Sequence, residues 1–395
     1  MGVSEQLSKT RDFIWAWALA PLASRDDARE AAFQKIRLIA PPKALEQAVA
    51  ACVREGGWAS RLTQASPPLE DHNQIVLAAT IEEFERVAGA VDPDLADELR
   101  RVLAIVTAGP PALALGRHRF DFAARVYVIG ILNNTPDSFY ERGRFFGRDA
   151  ALARAEELVS QGADLIEVGG ETAQEGDRLS AREEIGRVAP LVAELVRRYD
   201  LPVAVDTYKA DVARAAIEAG AVLVNDISGM ADPAMPAVIA GSGAGIVMMH
   251  LHGRPKQYYT DIDVPSMMDW VAAFLRERID VALVAGIPRE RLMVDPGLNF
   301  GKKPHRDVEL LQRLSELRNF GLPIFVATSR KDFIRDLLHL HPDELLEGTA
   351  AAVAFAITQG ANLLRVHDVE PMVRVARMME FFCGHRRSQV AGRTQ

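Results

Sequence analysis

Residues 164–206 read DLIEVGGETAQEGDRLSAREEIGRVAPLVAELVRRYDLPVAVD. A short apolar run, Leu165–Val168, leads through a polar stretch into Ala181–Arg198, which has helical periodicity, and then into a second apolar run, Val203–Val205. A strand, a helix that carries the chain back, and a second strand make a parallel pair. The same rhythm extends in both directions. Apolar runs occur at Val126–Leu132, Val222–Val224, Gly245–Met249, Leu292–Val294, Ile324–Val326 and Leu363–Val366, each followed by a segment with helical periodicity such as Ala150–Ser160 or Val212–Ala219. Eight such units in ~260 residues match the size of an α/β fold of the (β/α)8 TIM-barrel type. An open doubly wound sheet is the structural rival, and periodicity alone does not separate the two.

Working outward, residues 125–385 are assigned to the barrel, 116–124 to a linker leading into it, and 386–395 to a disordered tail. The first 115 residues are expected to form a small, mainly helical domain. Amphipathic stretches at Asp26–Ile39, Ala44–Arg54, Ile81–Ala90 and Leu95–Val106 are separated by Pro41-Pro42, Pro67-Pro68 and Asp92-Pro93-Asp94, and Gly109-Pro110-Pro111 closes the series. Phe13–Ala23 follows Lys9 and Arg11 and faintly imitates a secretory signal. The acidic Glu5 and Asp12 and the interrupting Pro21 favour a first helix instead. His72 and Trp58 stand alone here and read as structural. A chain beginning near Phe120 is expected to fold by itself.

Apolar residues make up 49% of the chain and charged residues 25%, the balance of a globular protein. The net charge of −8 and the absence of long like-charge blocks argue against nucleic acid as a partner. No stretch approaches the ~20 apolar residues of a membrane span. Cys52 and Cys383 have neither metal nor disulfide spacing, which suits a reducing cytoplasm.

In a (β/α)8 barrel the active site gathers at the C-terminal strand ends. The residues just past the eight runs are Asn133-Asn134, Glu171-Thr172, Asp206, Asn225-Asp226, His250, Asp295, Ser329-Arg330-Lys331, and Arg365 with His367-Asp368. Asp206, Asn225, Asp295 and Lys331 suit a flat heterocycle edged with donors and acceptors. Asn133, Arg365 and His367 suit a phosphate or diphosphate. The structural alternative for Arg365 and His367 is a rim salt bridge with Asp368.

At these residues the match to a known family becomes specific. ILNNTPDSF (Ile131–Phe139), DLIEVGGET (Asp164–Thr172), VDTYK (Val205–Lys209), NDISG (Asn225–Gly229), DPGLNFGK (Asp295–Lys302), SRKDFI (Ser329–Ile334) and RVHDV (Arg365–Val369) resemble, in order, the motifs of dihydropteroate synthases. The resemblance implies a pterin ring deep in the barrel, edged by Asp206, Asn225, Asp295 and Lys331, with Met249 and Phe300 as apolar neighbours and Thr172 on the second loop. It implies Mg²⁺ at Asn133, and Arg365 and His367 on the diphosphate. The implied catalytic set is Asn133, Lys331, Arg365 and His367. The implied reaction joins 6-hydroxymethyl-7,8-dihydropterin pyrophosphate to p-aminobenzoate or a related arylamine, in a homodimer associating through barrel helices. No protein nucleophile is needed, in keeping with the lack of a suitable Cys or Ser.

Three departures fall on the loops. Where the family has Glu-Ser-Thr-Arg-Pro, this chain has Glu171-Thr172-Ala173-Gln174-Glu175; Glu141 replaces the first-loop aspartate; and Asn299 stands where a glycine is usual. Losing the second-loop arginine removes a charged donor, costing ~1.5–3 kcal/mol of binding. Arg142, Arg178 and Arg182 are the nearby candidates to replace it. The rival readings are a non-catalytic pterin-binding or scaffold protein and a barrel carrying a reduced folate for methyl transfer to a corrinoid.

Overall fold

A computed structural model describes residues 15–19, 34–40, 42–55, 58–62, 73–79, 81–135 and 147–383. The chain divides into two compact units, one holding residues up to Gly109 with the segments 263–266 and 315–321, the other holding the rest.

The first unit joins three helices, which hold most of its regular structure among the described residues, to a four-stranded sheet that the sequence reading did not foresee. Strands β1 (Trp15–Leu19), β2 (Gln34–Ala40), β3 (Trp58–Leu62) and β4 (Asn73–Ala79) form an antiparallel sheet in the order β1-β2-β4-β3. The stretches expected as a first helix and as the end of Asp26–Ile39 are thus strands, with Trp15 opposite Ile39 and Ile36 opposite Leu77. The local reason is visible at Lys35-Ile36-Arg37-Leu38, where polar and apolar residues alternate with the two-residue period of a strand. The helices expected at Ala44–Arg54, Ile81–Ala90 and Leu95–Val106 do form, over Pro42–Arg54, Ile81–Ala88 and Pro93–Ala108. The last starts with Pro93 in its first turn and the Asp92 carboxylate accepting the Asp94 N–H. Their apolar faces, including Cys52, Phe84, Val87, Leu95, Leu99 and Val102, make this unit's own core with Leu77. His72 and the expected tail lie outside the described residues.

In the second unit all eight expected strands form: β7 (Tyr127–Asn133), β8 (Leu165–Gly169), β9 (Val203–Asp206), β10 (Leu223–Asp226), β11 (Gly245–Met249), β14 (Leu292–Asp295), β15 (Phe325–Val326) and β16 (Leu363–Val366). They run parallel in the order β14-β11-β10-β9-β8-β7-β16-β15, and a parallel bridge between Val294 and Ile324 joins the two ends. That bridge closes the barrel and excludes the open sheet. Helices such as Ala181–Arg198, which carries a Ser180–Glu183 capping box, return the chain between strands.

Within the expected linker 116–124, residues 118–120 form a strand, and residues 113–115, expected in the first domain, pair with it. Leu113–Leu115 (β5) and His118–Phe120 (β6) form a hairpin whose Leu113, Leu115 and Phe120, with Phe122 and Tyr127, fill the N-terminal end of the barrel against Leu165, Ala204, Leu223, Val247 and Met293. A chain beginning near Phe120 would lack Leu113 and Leu115 from this cluster. Leu115 is fully buried. Leu115→Ala is therefore expected to lower the unfolding free energy of the full chain by ~2–5 kcal/mol. A loss below ~1 kcal/mol in urea titrations would show that the hairpin is not part of the barrel core.

Candidate functional site

The strand ends bring the expected residues to one rim, and two charged side chains inside the barrel organise them. Glu167 lies in the middle of β8 and Arg365 in β16, each flanked by apolar residues. The Arg365 guanidinium donates from Nε to Glu167 Oε1 and, at 2.6 Å, from Nη2 to Asp206 Oδ2. Glu167 is wholly buried, and burial pushes its carboxyl up to about 7 against the opposing pull of Arg365. Burial likewise raises Asp206, opposed by Arg365 and Lys331. Arg365 is thus held by Glu167 and Asp206, and Asp368 by Arg330, whose Nε and Nη2 donate to it at 2.7 and 2.8 Å. The rim salt bridge weighed for Arg365 does not form.

The pocket edge is completed by Asn225 at the end of β10 and Asp295 at the end of β14. The buried side-chain oxygen of Asn225 has no donor among the described residues, so it is set to receive one from a ligand. Asp295 Oδ1 accepts the Gly297 N–H at 2.7 Å, and burial pushes its carboxyl up to about 6. Gly297 is required here. At φ +70° it passes so close to β11 that a Cβ would meet the His250 carbonyl oxygen at 1.9 Å. Lys302, unremarked from sequence, fixes the same turn: its Nζ donates to Gly297 O at 2.6 Å, Phe300 O at 3.0 Å and His250 O at 3.3 Å. Burial pushes this ammonium down to about 7.

Lys331 caps the pocket from the start of the helix Asp332–Leu338, its Nζ 4.4 Å from the centre of the Phe300 ring. Burial, then the Arg365 charge, pushes it down to about 8. Met249 is buried at the end of β11. His367 donates its backbone N–H to Ser329 Oγ at 3.1 Å. Burial and then the charges of Arg365, Arg330, Lys331 and Arg154 hold its ring neutral. Such a concentration of cations favours an anion. His250, counted with the rim groups from sequence, instead packs among Trp270 and Phe274, with ring centres at 4.4 and 5.0 Å. Asp226 organises its own turn, accepting from Ser228 and Met230.

Asn133 ends β7 with Oδ1 beside Gly169, where a Cβ would stand 3.0 Å from it. Among the described residues no group of three or more His, Cys, Asp or Glu could hold a metal. One neutral amide oxygen fits Mg²⁺ only as a single member of a set completed by substrate oxygens and water.

The departing residues have structural partners. Asn299 takes φ +73°, the left-handed conformation that asparagine tolerates best after glycine, and its side chain donates to Asp332 Oδ2 at 3.1 Å. Arg178 donates to Pro255 O at 3.3 Å and lies 5.8 Å from the Tyr208 ring centre; Arg182 is exposed on its helix. Arg142, Glu141 and the end of the first motif lie outside the described residues.

Residues 129–367 match the family of pterin binding enzymes. The chain is 38% identical over 274 residues to the dihydropteroate synthase of Synechocystis sp., covering 69% of this chain and 95% of that one. The chain belongs to the dihydropteroate synthase family. It is 40% identical over 270 residues (67% of this chain, 93% of the other) to a Mycobacterium leprae relative named inactive dihydropteroate synthase 2. The Yersinia pestis dihydropteroate synthase, solved as a complex with a sulfonamide drug, superimposes with a TM-score of 0.66 at 37% identity, covering 69% of this chain and 99% of that one. The fold and the ordered motifs of this dihydropteroate synthase-type transferase thus agree with the resemblance read from sequence.

The buried carboxylates have a consequence for stability. Asp295 titrates near 6 in the folded chain, above its unfolded value of about 3.9. The folded state binds more protons between those values, so stability falls as pH rises through that window. Asp295→Asn removes this cost and keeps an acceptor for Gly297. We expect it to raise the urea-unfolding free energy of the ligand-free protein by roughly 1–3 kcal/mol at pH 7.5 and negligibly near pH 4. Equal effects at both pH values would contradict a buried, ionised Asp295.

Proposed function

We propose that the protein joins 6-hydroxymethyl-7,8-dihydropterin pyrophosphate to p-aminobenzoate or a related arylamine, releasing pyrophosphate. The observation that carries this reading is the convergence of Asp206, Asn225, Asp295 and Lys331 on one pocket, with a buried Asn225 oxygen lacking a donor among the described residues. Pterins present an edge of amino and ring N–H donors to such acceptors. The methylene of the bound pterin faces the cationic rim, where Arg365, His367 and Lys331 receive the diphosphate. The bond from methylene carbon to diphosphate oxygen breaks, and its electron pair leaves with the anion. Positive charge developing at the methylene is tolerated because Asp206 and Asp295 stand beside the ring. The arylamine nitrogen then forms the new bond to carbon and loses its proton. Mg²⁺, held by the Asn133 amide oxygen and the substrate, would supply further charge to the leaving diphosphate.

A cytoplasmic homodimer completes the proposal. Phe355, Met378, Phe381 and Phe382 are exposed on the helices Leu346–Thr358 and Val369–Phe382, which pack side by side. Cys383 is an exposed free thiol, in keeping with a reducing compartment. Among the described residues no helix is long and apolar enough to cross a membrane.

The second reading, a pterin-binding protein without turnover, is favoured by one feature, the pair Gln174 and Glu175 in place of arginine and proline. Pyrophosphate release from the pterin pyrophosphate with a panel of arylamines separates the two. We expect release by the wild type and a loss of at least ~100-fold in pterin affinity in Lys331→Ala, since a site built on hydrogen bonds discriminates steeply against unpaired groups. Unchanged pterin affinity in that variant would overturn the pocket assignment. Chelation of Mg²⁺ should weaken the pyrophosphate ester at least ~10-fold while sparing bare hydroxymethylpterin. Equal weakening of both ligands would remove the metal from the diphosphate site.

A further inference from the structure

The second loop, Thr172–Arg178, is bonded along its length to one neighbouring segment. The hairpin of β12 (Gly253–Arg254) and β13 (Gln257–Tyr258) meets it at five points. Lys256 Nζ donates to Thr172 O at 3.1 Å, and the Tyr258 N–H donates to Glu175 Oε1 at 3.0 Å. The Tyr258 hydroxyl donates to Ala173 O, Gly176 N–H to Lys256 O at 3.4 Å, and Arg178 to Pro255 O at 3.3 Å. Glu175, which looks from sequence like a defect in a diphosphate loop, thus has a partner on the facing strand. Tyr258 also reaches the pocket. Its ring stands edge-on to Phe300 at 5.5 Å, and Phe300 carries the Lys331 ammonium at 4.4 Å. The Asp206 carboxylate is close enough to help raise the phenol, after burial itself.

Tyr258 therefore lies between the pterin-edge residues and the second loop. We propose that Tyr258, clasped to Ala173 and Glu175, is the positioning residue that sets how the arylamine is held. The clasp holds the loop over the barrel mouth without the arginine and proline that other family members have there. This inference rests on the synthase reading for its substrate, but the clasp itself does not.

The test uses the full chain with Tyr258→Phe, Tyr258→Leu and Glu175→Gln, with two readouts. Steady-state turnover with pterin pyrophosphate and p-aminobenzoate should show the arylamine KM raised about fivefold in Tyr258→Phe, the effect of one lost hydrogen bond. The KM should rise further in Tyr258→Leu, with kcat within about twofold of wild type and pterin affinity by calorimetry unchanged. A phenylalanine variant closer to wild type than the leucine variant identifies the ring as the contacting group. Hydrogen exchange should show the Gly176 and Tyr258 amides protected in the wild type and faster in Glu175→Gln and Tyr258→Phe. An unchanged arylamine KM in both Tyr258 variants overturns the positioning role, and unchanged exchange overturns the clasp. If no arylamine turns over even with the wild type, the synthase reading fails and the positioning role with it. The exchange data then still decide whether the clasp exists.

Discussion

A guanidinium deep in the barrel mouth, shared by two carboxylates from neighbouring strands, is the constraint around which the site is built. Arg365 reaches from β16 past β7 to Glu167 on β8 and Asp206 on β9, spanning four of the barrel's eight strands. Removing one partner from such a buried set leaves an uncompensated charge, a change that typically costs ~3–5 kcal/mol. The arrangement keeps Arg365 charged, since its carboxylate partners raise it further above the ordinary range, and keeps it fixed. A fixed cation can stabilise a departing anion without reorganising. Asp206 meanwhile serves both the arginine and the pocket edge.

The pocket is costly in the absence of ligand. Asp295 and Glu167 are pushed up by burial and Lys331 and Lys302 down, so each charged group is held where its neutral form is favoured more than in water. The backbone around them is held accordingly: Lys302 bonds two carbonyls of the turn after β14 and the His250 carbonyl after β11, and Gly297 and Asn299 supply the left-handed conformations that the turn needs. Asn299 is informative because its substitution for glycine is compensated locally by a side-chain bond to Asp332.

Much of this was legible in the residues. The eight strands were, because short apolar runs buried on both faces are bounded by polar strand ends and separated by amphipathic helices. The rim residues Asn133, Asp206, Asn225, Asp295 and Lys331 were, because strand ends point to the same face. Glu167 was not, although a signal existed: Glu167 in LIEV and Arg365 in LLRV are charges set inside apolar strand runs, and in a closed barrel such charges must find each other. The strands of the first unit were misread because Trp15–Leu19 and Gln34–Ala40 lie in compositions that suit an amphipathic helix equally well, and their pairing with distant strands settles the matter. The hairpin at 113–120 was hidden by Pro110 and Pro111 before it and Gly116 within it, which mark turns without telling that Leu113 and Leu115 fill the barrel end. The loop contacts of Glu175 were out of reach because their partner, Tyr258, is 83 residues away.

The central claim is that the closed barrel carries a pterin pocket whose edge is Asp206, Asn225 and Asp295 and whose depth is set by the Glu167–Arg365 pair. A crystal structure of the protein with bound 6-hydroxymethylpterin tests it most directly. The account predicts the ring in the barrel mouth, its donor edge on Asn225 and Asp295, Lys331 and Met249 beside it, and Arg365 still bonded to Glu167. A pterin bound elsewhere, or one seated only after Arg365 has left Glu167, would contradict it.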